Sequence, residues 1–129
     1  DLDKLLTSMS PQLQDGEYVF CTVPGRLSDY VHLNPLAVFA ESEGLTLIIS
    51  PADARKAGFS YEGIFRQITL TVHSSLDAVG LTAAVSTKLA DHGLSANVVA
   101  AYYHDHIFVR SELAQQALSA LKEIGGPTD

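Results

Sequence analysis

Apolar and polar side chains alternate over residues 67–73: Ile68, Leu70 and Val72 against Gln67, Thr69, Thr71 and His73. That period of two predicts a strand with one buried and one polar face. Downstream, Leu81, Val85 and Leu89 recur every fourth residue, the stripe of an amphipathic helix that Gly93 ends. Ala78, Ala83, Ala84 and Ala90 around it permit close packing. Residues 96–103 and 107–110 predict a hairpin about His104–Asp105–His106. Ser111 is placed to cap a last helix with the stripe Ala114, Ala117, Leu118, Leu121 and Ile124. Val98, Val99, Ala100 and Ala101 break the alternation, which predicts burial on both faces, including against a partner subunit.

The first half is less regular. Leu2, Leu5, Leu6 and Met9 have helical spacing, which Pro11 stops. Residues 18–23 read as a strand ended by Pro24–Gly25, and residues 26–35 show no period. Residues 36–40 and 45–49 form a second predicted hairpin across Glu41–Ser42–Glu43–Gly44. Pro51 opens and Gly58 closes a helix of barely two turns. Laying LTLIISPADA over DHIFVRSELA sets Leu47, Ile48 and Ile49 beside Ile107, Phe108 and Val109. The chain therefore reads as two strand–helix–strand–strand–helix units, 1–63 and 64–129, the first with a reduced first helix. Each predicts a small antiparallel sheet with helices on one face, an α+β fold, and neither unit buries that face well alone.

With 129 residues, 47% of them hydrophobic, there is material for one compact domain or two very small ones sharing a core. Net charge is -7 and the basic residues are scattered, so phosphate backbones and anionic membranes are poor partners. No segment reaches the length of a spanning helix. The start DLDKLLTSM has neither basic leader nor long apolar run, which argues against a signal peptide. One cysteine, Cys21, excludes an intrachain disulfide, fits a cytoplasmic location and reads as a core thiol.

The chemistry concentrates in VHSSLDAVGL, where a strand runs into a helix. Free N–H groups at the helix start can receive a carboxylate, and Gly80 permits close approach. Asp77 can accept from an ammonium, and Ser74 and Ser75 offer neutral hydrogen bonds. Asn97, expected on the neighbouring strand, both donates and accepts, while Leu76, Val79 and Leu81 favour a partly apolar side chain. The bland reading is an N-cap at Ser75 or Asp77, with Gly80 present for packing. His73, Ser75 and Asp77 are triad residue types, but no nucleophile elbow accompanies them. Glu41 and Glu43 read as solvated hairpin carboxylates. His104, Asp105 and His106 supply three metal-ligand types, with a polar turn the simpler account.

The motif Asp77-x-x-Gly80-Leu81, with Ser95–Ala96–Asn97–Val98 entering the next strand, resembles the ACT domain. The longer stretches LNPLAVFAESEGLTLII and VHSSLDAVGLTAAVS, continued by NVVAAYYHDHIFV, resemble a bacterial family of short tandem ACT proteins. That resemblance covers nearly the whole chain. It implies ferredoxin-like repeats and a free amino acid or related small carboxylate held at the strand-to-helix loop, commonly at an interface between two domains. The first repeat lacks the full motif, leaving Asp29 and Asn34 as its nearest replacements. The expectation is thus a regulatory, homo-oligomeric small-molecule-binding module with no catalysis, cofactor or metal. Its ligand residues are Ser74, Ser75, Asp77, Val79, Gly80, Leu81 and Asn97. The alternative is a structural or protein-interaction module with no ligand.

Overall fold

A computed structural model describes residues 10–71 and 80–124. The expected N-terminal helix and the centre of the strand-to-helix loop lie outside the described residues. The chain divides into two compact units, one of residues 16–65 and one combining residues 1–15 with 66–129. A short N-terminal strand, β1 (Pro11–Leu13), pairs antiparallel with β5 (Phe65–Leu70), which carries the start of the chain into the second unit.

In the unit of residues 16–65, β2 (Val19–Val23), β3 (Ala37–Glu41) and β4 (Gly44–Ile49) form an antiparallel sheet in the order β2-β4-β3. Alternation decides its packing. Val19, Cys21 and Val23 join Leu45, Leu47, Ile49, Leu33 and Ala54 in one core. The aperiodic residues between β2 and β3 fold as two 3-10 turns, Leu27–Asp29 and Val31–Leu33, of which only Leu33 is buried. Without an apolar stripe, nothing there holds a longer helix against the sheet. Helix α1 (Pro51–Ala57) has the expected ends: the Asp53 N–H donates to Ser50 Oγ at 3.1 Å, and Gly58 closes it at φ 77°.

The other unit has sheet order β1-β5-β7-β6, with β6 at Asn97–Ala100 and β7 at Asp105–Arg110. Helices α2 (Leu81–Asp91) and α3 (Ala114–Lys122) share one core with Ile68, Leu70, Ile107 and Val109. The fold is therefore α+β and ferredoxin-like, with antiparallel sheets and helices on one face.

Four local expectations change. The polar positions of β5 are not solvated: Gln67 and Thr69 are buried at 8% and 5% exposure. His106 is not in a turn; the bend is closed by the Ala101 N–H donating to His104 O at 3.0 Å, and Asp105 and His106 pair with Ala100 and Val99. Within one chain strand β6 buries one face only: Val98 packs against the core, and Asn97, Val99 and Ala100 are exposed. Ser111 opens a 3-10 turn, Ser111–Leu113, so α3 starts later, at Ala114, with no side-chain cap.

Candidate functional site

The strand-to-helix junction of the second unit is described from its helix end. Gly80 adopts φ 99°, ψ -20°, a left-handed conformation that an L side chain strains, and its carbonyl accepts from the Ala84 N–H at 2.8 Å. A cap residue without a side chain adds no atoms of its own over the first turn of α2. Leu81 is 2% exposed and belongs to the core with Val85 and Leu89. Its backbone N–H can serve a ligand there; its side chain, expected to help select one, cannot. Ser74, Ser75, Asp77 and Val79, with His73 and Leu76, lie outside the described residues.

Asn97 is exposed and begins β6, opposite Phe108 of β7. It is not on the strand beside β5, since β7 intervenes. Helix α2 carries the chain about 16 Å away from Gly80 before β6 begins. In an antiparallel sheet, β5 and β6, one strand apart, run the same way. The junction after β5 therefore lies at the end where β6 finishes, whereas Asn97 lies where β6 starts. One chain does not bring Gly80 and Asn97 together.

The matching junction of the first repeat is closed on itself. The Arg26 N–H donates to Asp29 Oδ2 at 3.1 Å, and Tyr30 donates to the Pro24 carbonyl. Gly25, at φ 97°, leaves the space that Asp29 fills: a Cβ on it would stand 2.8 Å from Asp29 Oδ2. Asp29 thus acts as a turn-closing acceptor. Asn34 lies at the entry to β3, away from that turn.

Other candidate chemistry is engaged structurally. Glu41 accepts from Thr46 Oγ1 at 2.5 Å and Glu43 from Ser42 Oγ at 2.9 Å, so each carboxylate has its own hydroxyl. His106 Nδ1 lies 3.0 Å from both Gln67 Nε2 and Thr69 Oγ1. Burial first, and then nearby His104, push His106 below the ordinary histidine value, against a smaller opposing pull from Asp105. Cys21 is buried, which raises its thiol pKa. Among the described residues no three His, Cys, Asp or Glu side chains are grouped to hold a metal. The sequence reading missed the Gln67–Thr69–His106 cluster. Its available signal was a pair of polar residues two apart on one predicted strand and a histidine beginning another.

Two ACT-domain profiles match the chain, one over residues 1–66 and one over residues 63–123. The chain therefore belongs to the ACT-domain family and carries two such domains in tandem. It is 61% identical to a protein of unknown function from Vibrio cholerae, a possible transport protein; the match covers 97% of this chain and 96% of that one, with a TM-score of 0.90. A protein from Agrobacterium tumefaciens is 15% identical with a TM-score of 0.72, covering 91% of this chain and 89% of that one. The ligand-free regulatory subunit of aspartate kinase from Thermus thermophilus is 11% identical, with a TM-score of 0.63 and coverage of 91% and 98%. At those two identities the likeness is one of fold alone. No curated protein matches the chain.

Proposed function

We propose that this chain is a non-catalytic regulatory module that binds a free amino acid, or a close carboxylate-bearing analogue, beside the β5–α2 junction. The observation that carries this reading is Gly80, left-handed and without a side chain, at the first turn of an ACT-domain helix. Backbone N–H groups there receive the ligand carboxylate, and Asp77 pairs with its ammonium. Ser74 and Ser75 add hydrogen bonds, with Val79 beside them. Asn97 comes from a second copy. Antiparallel pairing of two β6 strands sets the start of one beside the end of the other, and thus toward the other copy's junction. The site is then completed only in a homo-oligomer.

Calorimetry of protein freed of copurified ligand, across the amino acids, tests this. One or a few should bind, and Asp77→Ala should weaken binding by roughly tenfold to a hundredfold, the loss of a charge-assisted hydrogen bond. Asn97→Ala should weaken it without lowering thermal stability. Binding of no amino acid at millimolar concentration sinks the reading. The competing reading, an interaction module without ligand, draws on the exposed Tyr102 and Tyr103 at 75% and 63%. Native mass spectrometry separates the two by showing whether the assembly carries a small-molecule mass.

A further inference from the structure

The tip of the β6–β7 hairpin is built from two tyrosines that the fold does not call for. Pairing ends at Ala100 and Asp105, and the Ala101 N–H donates to His104 O at 3.0 Å, so Tyr102 and Tyr103 turn the chain. Connections this short favour glycine, asparagine and aspartate, which reach positive φ easily. Neither tyrosine does so, since Asn34 is the one non-glycine with positive φ among the described residues. Nor does the core hold them, at 75% and 63% exposure. Turn chemistry and packing both leave the pair unexplained.

Hydrogen bonds locate this tip. His106 Nδ1 lies 3.0 Å from the side chains of Gln67 and Thr69, so His106 stands abreast of them on the neighbouring strand β5. In an antiparallel sheet, stepping back from His106 to Tyr103 steps forward along β5, past Thr69 toward the junction with α2. Across the sheet, the tip is then one to one and a half strand spacings from the end of β5, about 5–7 Å. Alternation adds the side. Tyr102 and Tyr103 stand four residues from Val98 and Ile107, which face the α2–α3 core, and so continue the rows on the helix-bearing side. Leu81, by contrast, is 2% exposed and offers no wall to a ligand side chain.

Size decides between a ligand and a protein partner. Two tyrosine side chains offer roughly 300–500 Å2. Val99 is the one other exposed large hydrophobic among the described residues of this unit. A standard protein interface takes about 800 Å2 from each partner. The two rings, 4.9 Å apart at 72°, instead form a corner. A single aromatic ring can stack on one of them and meet the other by its edge.

We propose that the Tyr102–Tyr103 corner is the side-chain wall of the amino-acid site, and that the ligand it selects carries an aromatic ring. This deepens the reading above and rests on it. The start of α2 receives the ligand carboxylate, and the ring reaches across the end of β7 to the hairpin tip. A methyl side chain is too short to make that contact.

The test is an amide-resolved NMR titration of the full chain, freed of copurified ligand, with phenylalanine, leucine and alanine. Phenylalanine should bind about tenfold tighter than alanine, with leucine between, and should shift Gly80, Leu81, Tyr102 and Tyr103 along one saturation curve. Alanine should move Gly80 and Leu81 alone. Tyr102→Asn combined with Tyr103→Gly puts a favoured turn sequence at the tip, so the hairpin is kept. It should lower phenylalanine affinity about tenfold and leave alanine affinity and the circular dichroism spectrum unchanged. If phenylalanine and alanine bind alike, or the double variant keeps the preference, the tyrosine wall is overturned while the amino-acid site stands. Shifts at the tip without Gly80 overturn the shared site. No shift at Gly80 with any of the three also overturns the wall, and calorimetry across the remaining amino acids then decides whether the amino-acid reading falls with it.

Discussion

Two polar side chains meet at one histidine ring nitrogen in the second unit, and their chemistry bears on its protonation state. Gln67 Nε2 and Thr69 Oγ1 both stand 3.0 Å from Nδ1 of His106, and with the Gln67 amide as donor that nitrogen accepts, as in the neutral ring with its proton on Nε2. A charged ring would set an N–H against the Gln67 amide donor. Burial acts in the same direction and holds the folded pKa below the ordinary 6.5. Between that lowered value and 6.5 the unfolded chain binds more protons than the folded one, so stability falls as pH falls through this window. Above 6.5 the contribution is fully present, and below the folded value it changes no further. Urea unfolding from pH 7.5 downward should show this slope, and His106→Gln should remove it. An unchanged slope in the variant would place the titration elsewhere. Glu123, lowered by its hydrogen bond with Lys88, is distinguishable because its contribution is lost only as pH drops below 4.5.

At the scale of elements, the short helix α1 depends on its ends more than on its length. Seven residues make two turns, which persist because Ser50 caps the start, Ala54 is fully buried and Gly58 turns the chain away at φ 77°. A Cβ on Gly58 meets nothing within 4 Å, so Gly58→Ala isolates the backbone cost of the left-handed conformation. It should destabilise the fold by about 1–2 kcal/mol by chemical denaturation, and a neutral result would mean that the helix end relaxes. This helix was legible in the sequence because its stop and start signals are local. So were the hairpin β3–β4 and the stripe Leu81, Val85, Leu89. The covering of the outer strand was not legible for a physical reason: Val98–Ala101 has the same composition whether one layer or two enclose it. The strand β1 was hidden because three residues carry no period, and its partner β5 lies more than fifty residues away. At the candidate loop the glycine that starts α2 was legible, but its distance from Asn97 was not. Nothing in the spacing from Gly80 to Asn97 shows that α2 separates them along its length.

Each sheet has two outer strands among the described residues, β1 and β6 in one and β2 and β3 in the other, and β6 and β3 are each the outer arm of a hairpin. Neither edge is blunted as exposed edges usually are: β6 reads Asn97–Val98–Val99–Ala100 with no charge, and β3 carries Phe39 at 67% exposure. The proposed function makes the two unequal, since only pairing through β6 sets Asn97 of one copy at the end of the sheet where the other copy's junction lies. Val99→Lys adds a charge to that edge at a position 36% exposed, where the lysine reaches solvent without disturbing the α2–α3 core. Light scattering should show the wild type as a dimer and V99K as a folded monomer with amino-acid binding reduced as in Asn97→Ala. Phe39→Lys, on the other edge, should keep both dimer and binding. Charge adds a second signature. Two copies at net charge -7 repel one another, so added salt, which screens that repulsion beyond about 10 Å at 0.1 M, should strengthen the dimer. A dimer that survives V99K but is lost in F39K would move the interface to β3, and Asn97 would then have no route to the ligand loop.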